Sequence, residues 1–263
     1  MSYSTIMVEK QDRKLVITLN RPERLNAINI TMHEELYEAW QGFRDDPELW
    51  VAIVTGAGER AFSAGADLQA AAQARLDGKP HPRPAANIPP GGLGKGMYIW
   101  KPIIAAINGY AVGGGLELAL ACDIRIAADH AQLGLGEVRW SLLPAGGGMS
   151  RLPRQVPHAV AMKMILTGQR ITAQQALQWG LVTDVAPLTD LMPLAHSIAD
   201  TILENAPLAV QAAKECVTRG LDMPLDGALG VEEWYTRPLV GTEDYREGPI
   251  AFAQKRKPHF KAR

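Results

Sequence analysis

The order of apolar and polar positions divides the chain into strand-like and helix-like stretches. Residues 6–9 and 15–20 are apolar and β-branched and flank the polar stretch 10–13, which predicts an opening hairpin. After the loop RPERLNAIN, Thr31 with Glu34 three residues on has the form of a capping box. Met32, Leu36, Ala39, Trp40 and Phe43 follow at offsets of 0, 4, 7, 8 and 11, one face of a helix that Pro47 closes. The unbroken apolar runs WVAIVT and PIIAAIN, and the stretch 124–128, predict strands buried on both faces in a sheet covered by helices. Residues 73–96 are rich in proline and glycine and read as a surface loop. From Pro157 on the pattern is helical: HAVAMKMILTG, then ITAQQALQWG with Thr172 as cap and Gly180 as stop, then 191–205 and 208–219. The expected organisation is a mixed α/β body over 1–190 and a helical part over 191–263, with no internal sequence repeat.

Composition narrows the class. At 263 residues with 47% apolar and 21% charged residues, the chain can bury a full core, which excludes intrinsic disorder. The 27 basic and 28 acidic residues leave a net charge of -1, so no overall field recruits nucleic acid or anionic lipid, and an anionic ligand must be held by local charges. Cys122 and Cys216 form no CxxC pair and no metal-ligand spacing, so neither a disulfide framework nor a metal site is expected. The opening MSYSTIMVEKQDRK places charges where an export signal needs an apolar run, and no stretch has the length of a membrane span. A cytoplasmic protein is expected.

Three glycine-rich segments stand where a strand hands over to a helix. Thr55-Gly56-Ala57-Gly58-Glu59-Arg60-Ala61 fits a loose GxGxxA dinucleotide pattern, but AFSAGAD follows it instead of a long helix, so a plain turn is the better reading. The second runs from Asn108 through Gly113, Gly114 and Gly115 to Glu117 and into the apolar helix LELALA. The first N–H groups of a helix lack intrahelical partners and lie at the positive end of its dipole, so an oxyanion set there meets ready donors. Glu117 follows Gly114 by one helical turn and can face the same small volume. A carboxylate in so apolar a stretch is rare unless it is paired or functional. The third segment, LGLGEVRW, carries a second acid, Glu137, and leads through Pro144 to Gly146, Gly147 and Gly148. Alone, Glu137 could pair with Arg139 or Arg151. Two carboxylates in apolar surroundings beside backbone donors suit a reaction that moves a proton at carbon and builds charge on an oxygen. GxSxG, HExxH and P-loop patterns are absent.

The segments LNRPERLNAIN, AFSAGADL, KPIIAAINGYAVGGGLELALACDIRIA, LPAGGGMSRLPR, ILTGQRITAQQALQWGLV and EGPIAFAQKRKPHF resemble, in order and spacing, the crotonase (enoyl-CoA hydratase/isomerase) superfamily. The resemblance covers nearly the whole chain. It implies a crotonase-like spiral of ββα units with a C-terminal helical trimerisation region, a homotrimer or homohexamer, an acyl-CoA thioester substrate, no metal and no separate cofactor. It makes the N–H groups of Ala66 and Gly114 an oxyanion hole and matches Glu117 and Glu137 to the two catalytic glutamates of the hydratases. Glu117 would deprotonate water for attack at the β-carbon, and Glu137 would exchange the proton at the α-carbon. Residues 64–68, with Ala64, Asp67 and Leu68 among them, would cradle coenzyme A by backbone contacts. Arg24 and Lys255 would meet its phosphates, Lys255 from a neighbouring subunit.

Gly136 stands where hydratases commonly have proline, and Trp140 replaces a smaller residue near the expected acyl pocket. SAGADLQAAA and EGPIAFAQKRKP also resemble the carnitinyl-CoA dehydratase branch, which points to a short or polar acyl group. The paired acids favour reversible syn hydration of a trans-2-enoyl-CoA over isomerisation by Glu137 alone, and over a non-catalytic or RNA-binding member of the fold using its basic KRK tail.

Overall fold

A computed structural model describes residues 3–79, 88, 90–93 and 96–263. Its first elements are β1 (Ile6–Gln11) and β2 (Lys14–Leu19), paired antiparallel across a two-residue turn as the expected hairpin. Helix α1 (Ile30–Asp45) buries Met32, Leu36, Ala39, Trp40 and Phe43, the face read from the sequence. Its cap differs from the expected one. Asn29 stands at the N-cap and its side chain accepts the Met32 N–H at 2.9 Å, while Thr31 already lies inside the first turn. Asn29 meets the requirement of a short polar side chain one residue before the helix begins.

The chain then runs strand, short turn, strand three times. The pairs are β3 (Val51–Gly56) with β4 (Ala61–Ser63), β5 (Ile103–Ile107) with β6 (Tyr110–Val112), and β7 (Ile124–Ala128) with β8 (Gln132–Gly134). A helix follows each of the first two pairs, α2 (Leu68–Leu76) and α3 (Gly114–Ala121), and a 3₁₀ turn, Glu137–Trp140, follows the third. The TGAGERA segment is the turn from β3 to β4 and opens no helix. Residues 73–76, expected in a loop, are the last turn of α2, and residues 80–87, 89, 94 and 95 of that loop lie outside the described residues.

Next come α4 (Gly148–Gln155), α5 (His158–Thr167), β9 (Ile171–Thr172), α6 (Ala173–Gln178) and β10 (Asp184–Ala186). The capping box at Thr172 forms as expected, with Gln175 returning the bond. The first strand of each pair enters a six-stranded sheet of order β1-β2-β3-β5-β7-β10, and the second enters a four-stranded sheet of order β4-β6-β8-β9. This stepwise advance of paired strands along two sheets is the expected spiral. Every residue of β3 and β5 is buried, which explains their unbroken apolar runs.

Four helices end the chain: α7 (Leu188–Leu203), α8 (Pro207–Gly220), α9 (Leu225–Val240) and α10 (Glu243–Ala253). Helix α7 packs on β3, β5, β7 and β10 through buried Leu191, Ala195 and Ala199, so residue 190 falls within a helix of the sheet layer. Helices α8 to α10 leave large apolar side chains in solvent, among them Leu221, Leu225, Trp234 and Phe252. Helix α8 is tied to the body by Lys214, whose Nζ lies 2.6 Å from Asp123 and donates to the Lys101 carbonyl.

Candidate active site

The site lies where the β4–α2 and β6–α3 connections touch. Gly65 (φ +82°) and Gly113 (φ +54°) take backbone conformations that favour glycine. A Cβ on Gly65 would lie 2.7 Å from both the Gly114 nitrogen and the Val112 carbonyl oxygen, so the two connections meet backbone to backbone. Ala66 is pinned by a parallel bridge to Ile28, in which the Ile28 N–H donates to the Gly65 carbonyl and the Asp67 N–H donates to the Ile28 carbonyl. That pattern uses the residues on either side and leaves the Ala66 N–H out. Gly114 is the first residue of α3, where an N–H has no partner within the helix. A Cβ on Gly114 would lie 3.5 Å from the Ala66 nitrogen, so two spare amides stand side by side.

Glu117 is buried one turn along α3, with Oε1 accepting the Gly148 N–H at 2.9 Å. Gly148 is the first residue of α4, so the positive end of that helix faces the carboxylate. Burial raises the Glu117 pKa above the ordinary carboxylate value, while the Gly148 amide and the Arg151 guanidinium oppose the rise.

Glu137 opens its 3₁₀ turn beside Gly113, the residue before α3. A Cβ on Gly113 would lie 3.2 Å from Glu137 Oε1. Its Oε2 is buried and has no hydrogen-bond partner among the described residues. Burial, and then the nearby Glu117 charge, push the Glu137 pKa up to about 7. The pair therefore divides into a carboxylate gripped by an amide and a carboxyl with a spare oxygen, one able to hold a proton near neutral pH.

The other sequence-predicted residues spread around this centre. Ala64 donates its N–H to the Leu25 carbonyl, and Leu68 opens α2, partly exposed. The Asp67 side chain is occupied, capping α2 through the Ala70 N–H and pairing with Arg21 at 3.0 Å. Arg24, exposed at the end of a 3₁₀ turn, donates to Gln69 of α2 and so borders the same segment. Lys255 lies just beyond α10, exposed, and donates its N–H to the Phe252 carbonyl. Trp140 is 69% exposed, so its ring does not fill a pocket inside the chain. No group of three or more metal-ligating side chains forms among the described residues. Of the partners of Glu117, Gly148 carries no signal by residue type alone, and Arg151 is offered by the sequence as a partner of Glu137, not of Glu117. The glycine run 146–148 opening α4 is the clue to the first.

The sequence profile of the enoyl-CoA hydratase/isomerase family matches residues 9–263. The chain is 44% identical to the (E)-benzylidenesuccinyl-CoA hydratase of Thauera aromatica over 97% of its own length and 98% of that protein's. It is also 44% identical to the carnitinyl-CoA dehydratase of Escherichia coli K12, over 95% of both chains. Among solved structures, the enoyl-CoA hydratase of Mycobacterium tuberculosis H37Rv superposes with a TM-score of 0.88 at 35% identity, over 98% of this chain and 99% of that one. The enoyl-CoA hydratase of Bacillus anthracis does so with a TM-score of 0.88 at 36% identity, over 99% and 100%. Sequence, fold and the arrangement of spare amides and paired acids converge: the chain belongs to the enoyl-CoA hydratase/isomerase family and is an enzyme of the hydro-lyase class.

Proposed function

We propose that the chain catalyses the reversible syn addition of water to a trans-2-enoyl-CoA thioester, with Glu117 and Glu137 as its acid/base pair. The observation that carries this reading is the unequal environment of the two glutamates, Glu117 buried and Glu137 half-buried, beside the spare amides of Ala66 and Gly114. The thioester oxygen would accept both N–H groups, which act most strongly on the enolate that forms when water adds. Glu117, held at Oε1 by Gly148, has its other oxygen to orient water and take its proton. Glu137, whose pKa lies near neutrality, delivers a proton to the α-carbon. In the reverse direction the proton positions exchange, so both directions need a pair carrying one proton. None of these steps requires a separate cofactor.

Around that centre, the backbone of 64–68 would cradle coenzyme A, with Arg24 and, from a neighbouring subunit, Lys255 meeting its phosphates. The exposed apolar residues of α8 to α10 support a homotrimer or homohexamer built on the part of 191–263 beyond α7. The free cysteines, Cys122 and Cys216, suit a reducing cytoplasmic setting. The relatives act on benzylidenesuccinyl-CoA and carnitinyl-CoA, which supports a polar acyl group over a plain fatty chain.

A panel of acyl-CoA thioesters screened by mass spectrometry for gain or loss of one water identifies the substrate. On it, Glu117→Gln and Glu137→Gln should each lower kcat about 10²-fold or more. Retention of most activity by Glu117→Gln would instead mark an isomerase working through Glu137 alone.

A further inference from the structure

Desolvation acts in the same direction on Glu117 and Glu137, and so does not by itself give them different tasks. The structure supplies an asymmetry through α4. Its residue Arg151 donates its own N–H to the Gly147 carbonyl at 2.7 Å, and its Nη1 folds back to the Gly146 carbonyl at 3.3 Å. The guanidinium thus lies over the three-glycine turn that ends in the Gly148 amide gripping Glu117. Gly147 has φ of +122°, and a Cβ there would lie 2.0 Å from Arg151 Nη1, so the turn admits this return only without a side chain.

Titratable and charged side chains approach α3 from each element around it. Helix α4 presents Arg151 and Arg154, and the second pairs with Asp222 at 3.7 Å. The 3₁₀ turn presents Glu137 and Arg139, with Arg139 lying toward Gly168. Tyr110 of β6 lies under the Arg170 guanidinium, and His33, reached through the 3₁₀ turn Pro90–Gly92, accepts the Gly91 N–H. Beyond β4, Asp67 pairs with Arg21. At the far end of α3, Cys122 is buried and Asp123 pairs with Lys214. Arg151 is the cation that acts on the Glu117 carboxyl, and Glu117 acts in turn on Arg151.

We propose that Arg151 is a positioning residue for catalysis: folded over the Gly146–Gly148 turn, it fixes the amide that holds Glu117 and supplies the positive charge that makes Glu117, not Glu137, the base of the pair. This rests on the acid/base assignment above and deepens it. An opposite charge beside a carboxylate favours the ionised form, while the like charge of Glu117 keeps the proton on Glu137. Without the guanidinium only the amides of the Gly146–Gly148 turn would oppose the rise at Glu117, and the gap between the two acids would narrow.

The test is the pH dependence of kcat/KM for the assembled enzyme, with the substrate found by the thioester screen. Arg151→Met should move the acidic limb upward by about 1 pH unit or more, since the base now loses its charge more readily. The loss should fall on kcat with KM little changed, because Arg151 acts through Glu117. Arg151→Lys, which keeps the charge without the planar fork, should return the limb most of the way toward its original position. Gly147→Ala, which displaces the guanidinium while keeping it in the chain, should shift the limb in the same direction as Arg151→Met.

An acidic limb that stays in place in a folded Arg151→Met enzyme, or a lysine variant no better than the methionine one, overturns the proposal. If Arg151→Met fails to fold, Arg151→Gln, which keeps a donor for the Gly146 carbonyl without the charge, decides in its place. Failure of the underlying reading looks different: Glu117→Gln would then remain active. A crippled Glu117→Gln beside an unmoved limb in Arg151→Met rejects the role of Arg151 alone.

Discussion

The turn that carries Glu117 and the turn that carries Glu137 hold the same side chain in opposite ways. Glu117 sits on a regular helix, is buried, accepts an amide from the start of α4 and has a cation behind it. Glu137 sits on a short 3₁₀ turn, is half-buried, and keeps one oxygen without a partner. Desolvation raises both pKa values, and the partners then separate them. The lesson is that the acid and the base of such a pair are made by the backbone and second neighbours around them, so changes to glycines that touch no substrate should alter chemistry.

The largest effect is expected where both glutamates share a dependence. Gly65→Ala forces a residue with a Cβ into a left-handed conformation and drives that Cβ to 2.7 Å from the Gly114 nitrogen. It should part the two spare amides and cost about 10²–10³-fold in kcat, as loss of an oxyanion donor does, measured under single-turnover conditions. Gly148→Ala acts on one side only. Its Cβ would meet Glu117 Oε1 at 3.1 Å and Leu135 at 2.9 Å, and the displaced carboxylate should lose up to about 10²-fold in kcat.

The pH profile sharpens the contrast further. A pair that works with one proton gives a bell in kcat/KM: the basic limb follows Glu137 near pH 7, and the acidic limb follows protonation of Glu117. Because each limb belongs to one acid, Glu117→Gln should lose the acidic limb in whatever activity remains, and Glu137→Gln the basic limb. A limb that stays in place when its own residue is changed would break the assignment.

A smaller effect appears in stability. The folded-state pKa of Glu137, about 7, lies above the ordinary 4.5, so between those values the folded chain binds more protons than the unfolded one. Stability attributable to this group is therefore lost as pH rises through that window. Glu137→Gln should melt higher than the parent at about pH 8, with the gap closing near pH 4, as followed by calorimetry. Smallest of all, Asn29→Ala removes the cap of α1 far from either turn and should cost about 1 kcal/mol in urea unfolding while leaving kcat unchanged.

The division between what the sequence discloses and what it hides has physical causes. The face of α1, the buried strands β3, β5 and β7 and the helices from α5 to α8 follow from hydrophobic period and run length. Strands β4, β6 and β8 are three residues each, too short for a period of two to register, so the second sheet emerges only from tertiary pairing. The helix start at Asn29 is masked by Thr31, whose spacing to Glu34 fits a capping box equally well. At the site, Glu117 and Glu137 stand out because carboxylates are rare in apolar and glycine-rich surroundings. The Gly148 amide does not stand out, and Arg151 stands out only as a candidate partner of Glu137, since what matters there is where a backbone N–H and a folded-back side chain end up.

The division of labour can be tested without water addition at all, by incubating a saturated acyl-CoA with the enzyme in deuterated water and following its α-proton by nuclear magnetic resonance. Exchange needs the paired amides and the residue that handles the α-carbon, but not the residue that activates water. The account predicts exchange by the parent enzyme and by Glu117→Gln, and none by Glu137→Gln. Exchange that survives Glu137→Gln, or that disappears equally in both variants, would contradict it.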